Sequence, residues 1–249
     1  IKKLKVPKQI HATNIFFFVT LLLDIVIKVA KEIDDKIVAK CCGSYRRKLP
    51  SSGDVDILLC VYFILPESKH LSLIVLRFST HPNYTYEQKQ KGKVMRLIEK
   101  IDEKKKKNKF LIDDLSQGPV KYMGVCRLVR YIMHIIYIIS LLIILMKKGD
   151  DHPARRIDIK LFPVESFFPG LIHFTGSGEF NRQLRVVALK KGFTLSEYGI
   201  FPVGSTGEVG DPMPVESEQE VFDILDVPYK KPEKEAINRL SLNKLIAIF

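Results

Sequence analysis

Gly43-Ser44-Tyr45-Arg46-Arg47-Lys48-Leu49-Pro50-Ser51-Ser52-Gly53-Asp54-Val55-Asp56 is the stretch on which the reading of the whole chain depends. Gly43-Ser44 followed by two arginines predicts a turn opening a short helix. Backbone N–H groups, a hydroxyl and guanidinium groups there converge on an anion such as a phosphate. Ser52-Gly53 is a second small-residue turn. It leads into Asp54-Val55-Asp56-Ile57-Leu58-Leu59, whose period-two alternation predicts a strand with both carboxylates on one face. A D-x-D on a strand is an ordinary structural feature by itself, and so is a Gly-Ser turn. Together they form a phosphate cradle beside two aligned carboxylates, which suits metal-dependent nucleotidyl transfer with Mg bridging carboxylates and triphosphate.

Working outward, Arg155-Arg156-Ile157-Asp158-Ile159-Lys160-Leu161-Phe162 alternates in the same way. Ile157, Ile159 and Leu161 face one side, and Arg156, Asp158 and Lys160 the other. Asp158 is thus a third carboxylate on a strand, completing a set for two metal ions. Between these segments, residues 93–101 have helical spacing. Phe110-Leu111-Ile112 and Lys121 to Leu128 read as strands separated by the Ser116-Gln117-Gly118-Pro119 turn. Upstream, Ile15 to Leu23 is apolar on every side, and an amphipathic helix is expected from Asp24 through Ile25, Val26, Val29, Ile33 and Ile37.

In the last third, Phe174-Thr175-Gly176-Ser177-Gly178 is a Gly-rich turn before a helix through Phe180, Asn181, Leu184, Arg185, Val187 and Ala188. Gly192 closes it as a left-handed cap. Asn181 and Arg185 lie at i and i+4, either as an ordinary surface pair or as a polar comb for a DNA minor groove. Thr194 to Val203 suggests a small antiparallel sheet. Ser217-Glu218-Gln219-Glu220 reads as a capping box with a purely structural role.

The chain has 249 residues and a formal charge of +12, with 40 Lys+Arg against 28 Asp+Glu. That length holds one or two domains, and the charge favours an anionic partner, nucleic acid first. Lys104 to Lys107 fits a solvated turn better than a DNA contact. The four cysteines form no C-x-x-C pair or Cys/His ligand spacing, which argues for a reduced intracellular compartment without a zinc site. No amino-terminal signal peptide is evident. Tyr131 to Met146 is a sixteen-residue apolar run. At ~1.5 Å per residue it reaches about 24 Å, short of the ~30 Å of hydrocarbon. A span there would also place Asp56 and Asp158 on opposite sides of a bilayer, so no stable membrane partner is expected.

The motifs G-S-Y-R-R-x₄-S-S-G-D-V-D, R-R-I-D-I-K-L and F-T-G-S-x₃-F-N, in this order, resemble those of the family X DNA polymerases of the beta type. The resemblance covers about 24–59, 80–128, 150–168 and 170–235. It implies a mixed α/β (α+β) nucleotidyltransferase palm over 1–164 whose sheet carries three carboxylates. A smaller α+β nucleotide-closing subdomain over 165–240 and a tail at 241–249 would follow. It further implies that Asp54 and Asp56 hold both Mg ions (Mn being an alternative) and that Asp158 binds the catalytic metal beside the primer 3′-hydroxyl. Ser44, Arg47, Ser52 and Gly53 would hold the β and γ phosphates. Phe174 and Gly176 would line the sugar of the incoming dNTP, with Asn181 and Arg185 probing the nascent pair and template. Lys121 and Arg156 join Arg185 as DNA-side residues, and Arg156 would also orient Asp158. The implied protein is a nuclear, monomeric repair polymerase acting on gapped or primed DNA.

The departures are His173 where the family has Tyr, Gly178 near the incoming base, and no lyase or helix-hairpin-helix pattern in these residues. The resemblance also lapses at about 12–23, 60–79, 129–147 and 241–249. Each lapse is apolar and poor in charge, and reads as an inserted segment of the kind translated non-coding sequence produces. Two other functions stay open at this stage: a template-independent nucleotidyltransferase, and a non-catalytic or misfolded nucleic-acid-binding product.

Overall fold

The computed structural model of the protein describes residues 12–50, 52–61, 92–105, 111–127 and 154–235. Its centre is a five-stranded mixed sheet. The strands are β1 (Ile37–Cys41), β2 (Asp54–Val61), β3 (Leu111–Gln117), β4 (Lys121–Cys126) and β5 (Arg155–Phe162), in the order β1-β2-β5-β4-β3. β2 and β5 run parallel, while the other three pairings are antiparallel. One parallel pair in the middle puts the amino-terminal ends of β2 and β5, where the carboxylates sit, side by side.

The two faces of the sheet follow from alternation. Val55, Ile57, Leu59 and Val61 of β2 and Ile157, Ile159 and Leu161 of β5 are all buried in one core. Helices α1 (Ala12–Ile33) and α3 (Lys93–Lys105) cover that face through Val19, Leu22, Val26, Val29 and Ala30, and through Val94, Leu97, Ile98 and Ile101. Lys93 Nζ reaches Asp34 Oδ2 at 2.6 Å and ties the start of α3 to the end of α1. The opposite face reads Asp54-Asp56-Leu58-Cys60 on β2 and Arg156-Asp158-Lys160-Phe162 on β5. It is charged at one end and apolar at the other.

The apolar end is where the second part of the molecule docks. Leu58, Cys60 and Phe162 pack with Cys42 and with Phe167 and Leu171 of α4 (Phe167–Thr175). Beyond α4 come α5 (Gly178–Lys190), a hairpin of β6 (Phe193–Leu195) and β7 (Ile200–Pro202), α6 (Glu218–Ile224) and the short α7 (Pro232–Glu235). These elements enclose their own core of Ile172, Phe180, Leu184, Val187, Val221, Phe222 and Leu225. Ser177 Oγ accepts from the Phe180 amide and Ser217 Oγ from the Glu220 amide, so both helices start on a serine cap. Gly192 takes φ +78° after α5, the left-handed turn expected there.

The amphipathic helix expected from Asp24 through Ile37 starts earlier, at Ala12, and ends at Ile33, with Ile37 opening β1, so the run at 12–23 continues into it without a break. α1 is one helix from Ala12, and its buried residues 19, 22, 26, 29 and 30 form a single helical stripe. Leu21 and Leu23 flank that stripe and blur it in the sequence, which is why the run looked apolar on every side. Of the second run, Cys60 and Val61 are the buried end of β2. The rest of it, the runs at 129–147 and 241–249, and the Thr80–Thr85 turn lie outside the described residues. Among the described residues no helix is long and apolar enough to cross a membrane.

Candidate active site

Asp56 on β2 and Asp158 on β5 are directly paired across the parallel strands, and Asp54 is paired with Arg156 one step earlier. All four side chains share the charged face by strand periodicity. β4 runs alongside with Met123 opposite Asp158 and Lys121 opposite Lys160, so the exposed Lys121 adds positive charge at the rim of that face.

The cradle is fastened to this strand pair by backbone and hydroxyl bonds. The Cys42 amide donates to the Asp56 carbonyl at 2.8 Å, fixing α2 (Gly43–Arg46) against β2. Gly43 takes φ +58°, and a Cβ there would lie 2.2 Å from Asp56 Oδ2, so only glycine lets the turn approach the carboxylate. Ser44 Oγ donates to Ser52 Oγ, and Ser52 Oγ donates to the Asp54 carbonyl at 2.6 Å. The exposed Gly53 has nothing within 4 Å of where a Cβ would stand, leaving open space beside the first carboxylate.

Electrostatics set the three carboxylates apart. Burial, and then the neighbouring Asp54 and Asp158, push the Asp56 carboxyl up to about 7, with Arg156 and Arg47 pulling the other way. The Asp158 carboxyl is also raised, burial outweighing the nearby Arg156. Arg156 donates from Nη2 to Asp54 Oδ2 and from Nε to Asp158 Oδ1, the latter at 3.2 Å. The donor set fits a hard divalent cation, which takes carboxylate oxygens. Even so, among the described residues no three His, Cys, Asp or Glu side chains converge as a metal cage. Two of the three carboxylates are turned to a guanidinium instead. Arg156, expected on the DNA side, is thus engaged within the carboxylate cluster itself.

The second subdomain meets the cradle through both arginines. Arg46 donates to Thr175 Oγ1 at 2.6 Å and forms a two-pronged pair with Glu218 at 2.8 and 2.5 Å. Arg47 donates to the Thr175 carbonyl. These contacts bring Phe174 and Gly176, both expected at the sugar, next to the Gly43–Arg47 turn expected to hold phosphates. Phe174 closes the last turn of α4 with Thr175, and Gly176 follows at φ +69°, its Cβ position 3.0 Å from the Arg47 guanidinium.

Two expectations change here. Asn181 does not project as part of a polar comb: it is buried, and its amide donates to the His173 carbonyl at 2.6 Å, joining α5 to α4. It lines a small pocket with the half-buried Arg185, and with His173 and Ser196, over Pro169, Ile172 and Leu195. The capping box is structural, as expected, but in a different form. Its second residue, Glu218, is the partner of Arg46, and its last, Glu220, accepts from the Glu216 amide rather than from the cap residue.

A further cluster had only half a signal in the sequence. Lys160 stands two residues beyond Asp158 and so on the same face. Its ammonium lies 4.8, 5.1 and 5.3 Å from the ring centres of Phe162, Phe174 and Tyr198 and 2.7 Å from Glu197 Oε1. His173 Nε2 approaches the other oxygen of Glu197 at 3.4 Å. Burial holds the His173 imidazole below its ordinary value, against the pull of Glu197. Glu197, on the β6–β7 turn, carried no signal in the sequence.

Comparison with known proteins agrees with this geometry. The model of the DNA polymerase beta palm matches residues 19–164, and that of the DNA polymerase beta thumb matches 170–235. DNA polymerase lambda of Rattus norvegicus is 28% identical over 214 residues, covering 82% of this chain and 29% of that protein. DNA polymerase lambda of Arabidopsis thaliana is 26% identical over 223 residues, covering 83% and 33%. DNA polymerase IV of Saccharomyces cerevisiae is 33% identical over 88 residues, covering 35% and 14%. The chain therefore spans about a third or less of the length of these relatives. A palm match over more than half the chain, followed in order by the thumb match, means that this chain belongs to the family X DNA polymerases.

Proposed function

We propose that the chain is the catalytic palm and the nucleotide-closing thumb of a template-directed DNA polymerase of the gap-filling repair type. It would transfer a deoxynucleotide from dNTP to a primer 3′-hydroxyl and release pyrophosphate. The observation that carries this is the pairing of Asp56 with Asp158 on parallel strands, with Asp54 on the same face and the Gly43-Ser44 turn fastened alongside.

Asp54 and Asp56 would hold two divalent cations, Mg or Mn, and Asp158 one of them. The chemistry such cations would supply is a lowered pKa for the 3′-hydroxyl and charge neutralisation on the leaving phosphates. The chain's own residues supply the rest. Ser44, Ser52, Gly53 and Arg47 receive the β and γ phosphates, Phe174 and Gly176 flank the sugar, and Lys121 and Arg185 approach DNA. Asn181 braces α5 against α4 and leaves Arg185 as the polar group facing the pocket. This reading implies a nuclear protein whose partners are gapped or primed DNA and dNTP.

Primer extension on gapped DNA with Mg, comparing the intact chain with Asp158→Ala, tests it. Template-dependent extension that disappears on substitution is expected. Extension without a template would instead support a template-independent nucleotidyltransferase, a reading that the inward-turned Asn181 favours. No extension by the intact, folded chain overturns both.

A further inference from the structure

Arg155 opens β5 on the face opposite the carboxylates. Strand periodicity groups it with Ile157, Ile159 and Leu161, and all four are buried. At 3% exposure it is an arginine set into the palm, paired in register with Cys126 of β4. Burial works against its charge, yet a guanidinium stays protonated in proteins. Its Nη1 donates to the Ser52 carbonyl at 3.2 Å, across 103 residues of chain.

Ser52 is buried as well, and its hydroxyl accepts from Ser44 Oγ and donates to the Asp54 carbonyl at 2.6 Å. The turn is thus gripped from two sides, by hydroxyls next to Gly43 and by a guanidinium from the core. The Ser52 carbonyl and the Gly53 amide belong to one planar trans peptide unit, in which C=O and N–H point in opposite directions. A carbonyl drawn toward the core therefore turns the Gly53 N–H outward, to the exposed side where a Cβ would meet nothing within 4 Å. A cation on the carbonyl also polarises the peptide and strengthens that N–H as a donor.

We infer that Arg155 is a positioning residue for the nucleotide's phosphates: by holding the Ser52 carbonyl from the core side, it aims the Gly53 N–H at them. The inference rests on the nucleotide reading above and goes beyond it, since that reading draws nothing from the core face of β5.

The test is binding of dATP, and of inorganic tripolyphosphate, to the full chain with Mg²⁺ and without DNA, by isothermal titration calorimetry. Arg155→Met should weaken both about tenfold, the scale of a charge-assisted hydrogen bond, and Arg155→Lys, which keeps the charge but loses the fork, about threefold. Mn²⁺ affinity without phosphate should stay within about twofold of the parent, because the carboxylates lie on the other face. Unchanged phosphate affinity in a variant with the parent's circular dichroism overturns the inference. So does a loss for dATP without one for tripolyphosphate, or an equal loss for Mn²⁺, which marks Arg155 as a core residue alone. Should neither variant fold, the parent decides. Tripolyphosphate should then shift the Gly53 amide and Arg155 Nε–H resonances together, and any other pattern overturns the inference. A parent that binds neither phosphate probe fails the nucleotide reading itself, and the inference falls with it.

Discussion

Asp56 carries the most heavily perturbed charge of the carboxylate cluster, because the strand buries it and its two nearest acidic neighbours repel its ionised form. With its pKa raised to about 7, the folded protein holds a proton that the unfolded chain has released above about pH 4. This group's contribution to stability therefore falls as pH rises through that window. Thermal unfolding in a chelator should show Asp56→Asn losing less stability than the parent between pH 5 and 7.5. A divalent cation favours the ionised carboxylate, so binding below about pH 7 should release a proton, detectable as a buffer-dependent heat in calorimetry. Asp56→Asn should abolish that dependence. The cysteines around the cradle offer no competing chemistry, since burial pushes the Cys41 thiol up to about 12 and raises that of Cys42 as well.

At the scale of elements, α1 and the Arg46–Glu218 pair each do what their sequences concealed. Leu22 is fully buried between α1 and the sheet, so Leu22→Ala should cost about 3 kcal/mol by denaturant unfolding. An effect under ~0.5 kcal/mol would support the reading of 12–23 as an insertion without structural weight. Glu218 is 12% exposed and accepts both prongs of Arg46, so Arg46→Met strands a mostly buried carboxylate. A loss of about 2 kcal/mol is expected, and the double change Arg46→Met with Glu218→Gln should recover much of it. Because the pair joins α2 to α6, the single change should also, on the proposed function, raise KM for dNTP more than it lowers kcat.

Across the whole molecule, the palm and thumb are not independent bodies. Phe162 is fully buried, ends β5 and packs against Phe174 edge-on at 5.6 Å, within the cluster that holds α4 on the sheet. One cooperative unfolding transition is therefore expected for the full chain. Phe162→Ala should destabilise it by about 4 kcal/mol and split the melt into two steps as the thumb loses its seat. A single sharp transition in that variant would show that the remaining contacts, Leu58 and Cys60 against Phe167 and Leu171 together with the Arg46, Arg47 and Lys160 bonds, suffice to hold the parts together.

Period two made the carboxylate strands legible. Asp54 and Asp56 could be placed on one face of their strand, and Arg156 and Asp158 on one face of theirs, from residue order alone, because a strand leaves no other arrangement. The Gly43 turn, the strands on either side of Gly118 and the Ser217 cap were legible as well, since each depends on bonds between near neighbours. The family followed from the order of three local motifs. Only the tertiary structure decided that β2 and β5 are parallel neighbours, that Glu218 belongs to Arg46 and Glu197 to Lys160, and that Asn181 turns inward. Apart from Asn181 and His173, eight residues apart, these partners are separated by tens to more than a hundred residues, so their pairing is a matter of packing, on which local periodicity is silent. The same holds for Arg156. The sequence places it two residues from Asp158, but that it also reaches Asp54 follows from the pairing of β2 with β5.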